Sequence, residues 1–172
     1  MGVRNYLIEG VSGTGKTAVC HELRRRGYHA LNGDRDLAYP GDPETGKPVD
    51  RPLHLNEADA VAWVHAHGIW DIDKVRALAA DRSHAASFFC GGSRNFSRFV
   101  DVFDRVFVLD IDRDTLVRRL ARRPDDEFGG QAAERDLILR LHETKEDIPT
   151  GIVIDATAPL ERVVDAILER CV

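Results

Sequence analysis

The sequence predicts an α/β fold, with a central parallel sheet of five strands and helices on both faces, three layers in all. Three observations predict it. Short, continuously apolar runs alternate with longer stretches of helical periodicity. The first apolar run leads into Gly10-Val11-Ser12-Gly13-Thr14-Gly15-Lys16-Thr17, a G-x-x-x-x-G-K-T loop between a strand and a helix. The polar clusters that follow fall at the carboxyl ends of the strands, where parallel sheets bind their ligands.

Each element follows from its residues. Tyr6-Leu7-Ile8 is the first strand, and Ala18 to Arg26 the first helix, stopped by Gly27. Tyr28 to Leu31 is a second strand ending in Asn32-Gly33-Asp34-Arg35-Asp36. From Ala38 to Asn56 the chain carries Pro40, Gly41, Pro43, Gly46, Pro48 and Pro52, a long loop of the kind that is functional or mobile. Glu57 to His67 reads as a helix with Ala58, Val61, Trp63 and Val64 partly buried, ended by Gly68. Asp71 to Ala80 is a helix with Ile72, Val75, Leu78 and Ala79 on one face.

Ser87-Phe88-Phe89-Cys90 is the third strand, followed by Gly91-Gly92-Ser93-Arg94-Asn95 and by a helical Phe96 to Val102. Arg105 to Leu109 is the fourth strand and ends at Asp110, which with Asp112 suits a helix cap. Asp112 to Arg123 is a helix stopped by Pro124, Asp125 to Gly130 a loop, and Gln131 to Glu146 a helix burying Leu137, Ile138 and Leu141. Ile152-Val153-Ile154 is the last strand, and Pro159 opens a final helix with Leu160, Val163, Val164, Ile167 and Leu168 inward.

Composition narrows the class. At 172 residues the expectation is one domain spanning 1–172. The net charge of -5 argues against a general nucleic-acid binder, which needs a basic face. No apolar run is long enough for a membrane span, and the first strand begins without a secretory leader. Cys20, Cys90 and Cys171 form no C-x-x-C pair, so neither a zinc site nor a disulfide framework is indicated, and a reducing cytoplasm fits. His65 and His67 stand two apart and share no helix face, so they are not a metal pair. Trp63 and Trp70 are read as packing residues.

The loop of residues 10–17 is a phosphate cradle. Gly10, Gly13 and Gly15 let successive N–H groups turn inward, and the following helix adds its unpaired amides and positive dipole end. Ser12 and Thr14 complete the cradle, Lys16 reaches the β- and γ-phosphates, and the Thr17 hydroxyl suits Mg²⁺. ATP with Mg²⁺ is therefore the expected cofactor pair. A GTPase would carry N-K-x-D after a strand, which is absent, and a ring-forming ATPase would carry an acidic pair where Cys90-Gly91-Gly92 stands.

On these residues the chain resembles the small-molecule kinases of the nucleotide-kinase superfamily, shikimate and gluconate kinases above all. The loop of residues 10–17 is similar to that of gluconate kinases, Asp34-Arg35-Asp36 resembles the D-x-D of shikimate kinases, and Cys90-Gly91-Gly92 resembles their acceptor-side glycine motif. Arg105 to Arg123 is similar to the strand and helix leading into their lid, and Asp155 to Leu160 to their adenine-side loop. Cys90 and the long segment Tyr39 to Pro52 depart from the shikimate kinase pattern; that segment is closer to the acceptor region of gluconate kinases. The resemblance implies a P-loop kinase fold with an acceptor-binding insert at about 34–83 and a short lid at about 119–133, working as a monomer or homodimer.

Phosphoryl transfer needs charge neutralisation and an aligned hydroxyl. Asp34 is expected either to hold Mg²⁺ through water or to orient the acceptor hydroxyl as its base. Asp36, Gly91, Gly92 and Arg94 are expected at the acceptor, the glycines because no Cβ blocks close approach, the arginine as a fork for oxygens. Of Arg118, Arg119, Arg122 and Arg123, the pair Arg119 and Arg123 is expected on the phosphate path, with Gly129-Gly130 as a hinge. Thr157 and Pro159 are expected beside the adenine. The expected reaction moves the γ-phosphoryl group of ATP to a hydroxyl of a small nucleoside- or polyol-like acceptor. A nucleoside monophosphate kinase, with Arg51 or Arg98 gripping the acceptor phosphate, and an ATP-sensing module without transfer are the alternatives.

Overall fold

The computed structural model describes residues 3–172. In chain order its elements are β1 (Arg4–Glu9), α1 (Lys16–Arg25), β2 (His29–Asn32), α2 (Gly33–Asp36), β3 (Ala38–Pro40), α3 (Glu57–Ala66), β4 (Gly68–Trp70), α4 (Ile72–Ala80), β5 (Ala86–Cys90), β6 (Arg105–Asp110), α5 (Arg113–Ala121), α6 (Ala132–Thr144), β7 (Ile152–Asp155) and α7 (Leu160–Leu168). Five strands form one parallel sheet in the order β2-β5-β1-β6-β7, as the sequence predicts. No helix among the described residues is long and apolar enough to cross a membrane.

The register explains why these strands read as unbroken apolar runs. Leu7 lies beside Phe89, and Ile8 beside both Cys90 and Phe107. Side chains alternate between two buried faces. Tyr6, Ile8, Phe88, Cys90, Phe107 and Leu109 join Val19 and Leu23 of α1 and Val164 and Ile167 of α7 in one core. Leu7 and Phe89 join Leu37, Trp70, Val75 and Phe99 in a second core on the opposite face. Each such phenylalanine or leucine contributes about 1.5–3 kcal/mol by leaving water.

Three elements differ from the sequence expectation. β3 and β4 form a small antiparallel pair, with Ala38 opposite Trp70 and Pro40 opposite Gly68, where a loop and a helix end were expected. Strands this short, one carrying a proline, leave no periodic signal. The segment from Phe96 to Val102 is two 3₁₀ turns, Phe96–Arg98 and Val100–Val102, because apolar residues recur every third position at Phe96, Phe99 and Val102. In α3, Ala58 and Val64 are exposed, and only Val61 and Trp63 of the four expected positions are half-buried. This helix borders a cavity instead of covering the sheet.

Asp112 caps α5, accepting from Thr115 N at 2.8 Å. Asp110 does not share that cap: its Oδ1 accepts from Lys145 Nζ at 2.7 Å, which ties the end of β6 to the turn after α6.

Candidate functional site

A cavity of about 1040 Å³ opens at the carboxyl ends of β1, β2 and β5. Its floor is the phosphate cradle. Gly13 (φ 93°) and Gly15 (φ 103°) take left-handed backbone there, which the sequence demands of them. Gly10, Ser12, Gly13, Gly15, Lys16 and Thr17 line the cavity. Thr14 is buried away from it, its hydroxyl donating to Val11 O at 2.7 Å, so it serves the loop's shape. The Lys16 ammonium donates to Gly10 O, and burial lowers its pKa against the pull of Glu9 and Asp34.

A further part of the lining comes from Asp34 of α2, Gly92 and Arg94 after β5, and His65 of α3. Gly92 N donates to Asp34 Oδ1 at 3.4 Å. Gly91 packs behind: a Cβ there would lie 2.8 Å from Asp34 Oδ1 and 2.9 Å from the Trp70 ring. Arg94 Nη1 donates to the His65 ring at 2.7 Å and stands 3.5 Å from Asp147, whose carboxylate is 2.8 Å from His65 Nε2. Burial, reinforced by Arg94 and opposed by Asp147, lowers the His65 pKa.

Not every expected residue joins this lining. Asp36 is turned back into its own segment, accepting from Asn32 N at 3.0 Å and lying 3.7 Å from Arg24, because its carboxylate closes the turn that carries Asp34. Arg123 lines the cavity and donates to Ser12 Oγ at 3.1 Å and to Phe128 O. Arg119 is held beside the cradle instead, donating to Gly13 O and Thr14 O at 3.3 Å each and to Ala156 O at 2.8 Å. The loop after β7 is thus fastened to the cradle. In that loop Thr157 N donates to Asp155 Oδ1 at 2.9 Å, and Pro159 stands at the start of α7.

Glu9, the last residue of β1, is a site residue that the motif reading passed over. It is 1% exposed, and its Oε1 accepts from Gly10 N at 2.9 Å. Burial raises its pKa to about 7 despite the opposing influence of Lys16, the Gly10 N–H and Arg94. The signal was present: an acid closing an otherwise apolar strand. His21, Asn32, Glu127, Phe128 and Asp147 also line the cavity without a motif to announce them.

The raised pKa has a stability consequence. The folded chain keeps the Glu9 proton up to about pH 7, whereas an unperturbed glutamate releases it near 4.5. Stability linked to this group is therefore complete below 4.5 and lost as the pH rises through about 7. Glu9→Gln is expected to be at least as stable as the parent at pH 8, the gain vanishing near pH 4.5. Urea denaturation at the two pH values checks it; a less stable variant at pH 8 would contradict the charge burial.

Oxygen donors converge on the cradle from Thr17 and Asp34. Among the described residues no three His, Cys, Asp or Glu side chains form a metal cluster, and the site suits a hard cation held chiefly by phosphates and water.

Comparisons with known proteins agree with this geometry. A sugar kinase from Janibacter sp. HTCC2649 superposes with a TM-score of 0.56 at 22% identity, over 97% of this chain and 93% of that one. Shikimate kinase from Acinetobacter baumannii, solved with shikimate, gives a TM-score of 0.61 at 16% identity, over 97% and 92%. The fold is that of P-loop kinases. HPr kinase/phosphorylase of Streptococcus thermophilus is 34% identical over 108 residues, 62% of this chain. The chain spans about a third, 32%, of the length of that relative. A family model for the AAA domain, AAA_18, matches residues 7–140, and the chain belongs to this family.

Proposed function

We propose that this chain is an ATP-dependent kinase that transfers the γ-phosphoryl group to a hydroxyl of a small, nucleoside- or polyol-like molecule. One observation carries the reading: the phosphate cradle and Asp34, Gly92 and Arg94 line a single cavity large enough for a nucleotide tail and an acceptor. The likeness to sugar and shikimate kinases and to part of HPr kinase/phosphorylase supports it.

The cradle amides and Lys16 bind the β- and γ-phosphates and neutralise the charge that develops on transfer. Thr17, and Asp34 through water, would hold Mg²⁺. When bound, that ion would offset the charge of the phosphates. Arg123 steadies the transferring group from the start of a lid over residues 119–133. Arg119 couples the cradle to the loop of Thr157 and Pro159, which borders the adenine. The insert over residues 34–83, with Gly92 and Arg94, receives the acceptor, Gly91 packing behind them, and closure excludes the water that would compete with it.

A hydroxyl acceptor is favoured over a phosphate acceptor. Arg98 is engaged with the Glu44 carbonyl, Arg51 is exposed, and neither lines the cavity. Acceptor-stimulated ADP release tests the proposal. The protein is incubated with ATP, Mg²⁺ and pooled sugars, polyols, shikimate, nucleosides and nucleoside monophosphates. A neutral hydroxylated pool is expected to stimulate release. ATP binding with no stimulation by any pool would favour a sensor without transfer, and stimulation by monophosphates alone a nucleoside monophosphate kinase. With the stimulating acceptor, Asp34→Asn is expected to lower kcat about 10²-fold or more and leave the acceptor KM within about threefold. An effect confined to KM would make Asp34 a binding residue only.

A further inference from the structure

Glu9 is a buried carboxyl group without an ion-pair partner. Among the described residues its one hydrogen bond comes from Gly10 N, and no cation stands within ion-pair distance of it. Burying a charge without a partner is costly, and such groups gather where a ligand completes them. A Cβ on Gly92 would come 2.7 Å from Glu9 Oε1, 3.2 Å from Oε2 and 3.3 Å from Arg94 Nη2. A side chain there would collide with the Glu9 carboxyl, so the glycine is what lets Glu9 and Arg94 both close on this stretch of backbone. Glu9, Gly92, Arg94 and Lys16 line one cavity. Asp34, by contrast, has its Oδ1 facing the Gly92 amide at 3.4 Å, on the α2 side of the same dipeptide.

We propose that Glu9 is a catalytic residue which accepts the hydrogen bond of the attacking acceptor hydroxyl, with Arg94 donating to an acceptor oxygen over Gly92. The proposal rests on the kinase reading above. In the step, the hydroxyl oxygen bonds to the γ-phosphorus as the bond from that phosphorus to the bridging oxygen of the ADP leaving group breaks. The hydroxyl proton passes to Glu9 and goes to solvent when the product leaves. Asp34 is then left to the metal side, and two carboxylates separated by Gly91-Gly92 divide the work. A cavity wall that carries Glu9 beside Arg94 suits an uncharged alcohol, since an anionic group there would meet Glu9.

The test uses the full chain and the acceptor that most stimulates ADP release from the parent. Glu9→Gln keeps an oxygen for the Gly10 amide and removes the charge. It is expected to lower acceptor-stimulated kcat by about 10²-fold or more, the size of a lost general base. Affinity for a fluorescent ADP analogue, measured with and without Mg²⁺, is expected to stay within about twofold, because the cradle is intact. A variant with parental kcat would overturn the proposal and leave the kinase reading standing. So would a variant whose nucleotide affinity falls in step with kcat, since Glu9 would then only support the cradle. A parent that phosphorylates no acceptor would overturn both.

Discussion

Lys16→Ala is expected to abolish measurable phosphoryl transfer, with kcat reduced about 10³-fold or more, or about 4 kcal/mol of transition-state stabilisation. The reason is geometric. Lys16 is the cation at the floor of the cavity, held on Gly10 O and flanked by Glu9 and Asp34, and among the described residues no second lysine lines that space. Arg123 meets the cradle at Ser12 Oγ, 3.1 Å away. The fold does not depend on the ammonium, because the cores of α1 are built by Val19, Cys20 and Leu23. The variant should therefore show parental far-UV circular dichroism and a melting temperature within a few degrees. Retained turnover would show that the phosphates lie elsewhere.

Trp70→Ala is expected to cost about 3–5 kcal/mol of folding stability, the range for truncating a large buried aromatic. Trp70 is 0% exposed and stacks on Phe99 with ring centroids 5.6 Å apart. Its backbone is held on both sides by Asn95, whose Oδ1 accepts from Trp70 N at 3.0 Å and whose Nδ2 donates to Trp70 O at 3.0 Å. The ring fills the space beside Gly33, where a Cβ would lie 2.0 Å from it. Gly33 opens the turn that presents Asp34, so loss of the ring loosens the acceptor wall as well as the second core. A urea titration should show the lower midpoint, and kcat of the folded fraction should fall with it. A loss below about 1 kcal/mol would mean that the site collapses to fill the void.

Much of this architecture was legible in the sequence because it is local. The cradle is a contiguous motif between a strand and a helix, so its position and conformation follow from residues 4–26. The five parallel strands were legible because burial on both faces leaves unbroken apolar runs. Asp34, Gly92 and Arg94 come to one cavity because topology sends the carboxyl ends of β2 and β5 to one place. What could not be read depends on distant pairings. His65 and Asp147 meet across 82 positions, and nothing around either marks the meeting. The hydrogen-bond partners of Asp36 and Arg119 were out of reach for the same reason, since a sequence shows where a side chain starts and not which carbonyl or amide it finds. Glu9 was hidden by its neighbour, because the glycine pattern that begins one residue later absorbs attention.

The cluster of Arg94, His65 and Asp147 draws on three separate parts of the chain: the turn after β5, helix α3 and the stretch between α6 and β7. It joins the rim of the cavity by polar attraction, while the oily interior lies beneath the sheet on either side. The members of the cluster are partly sheltered from water, so dissolved salt is expected to screen them less than it screens charges on the open surface.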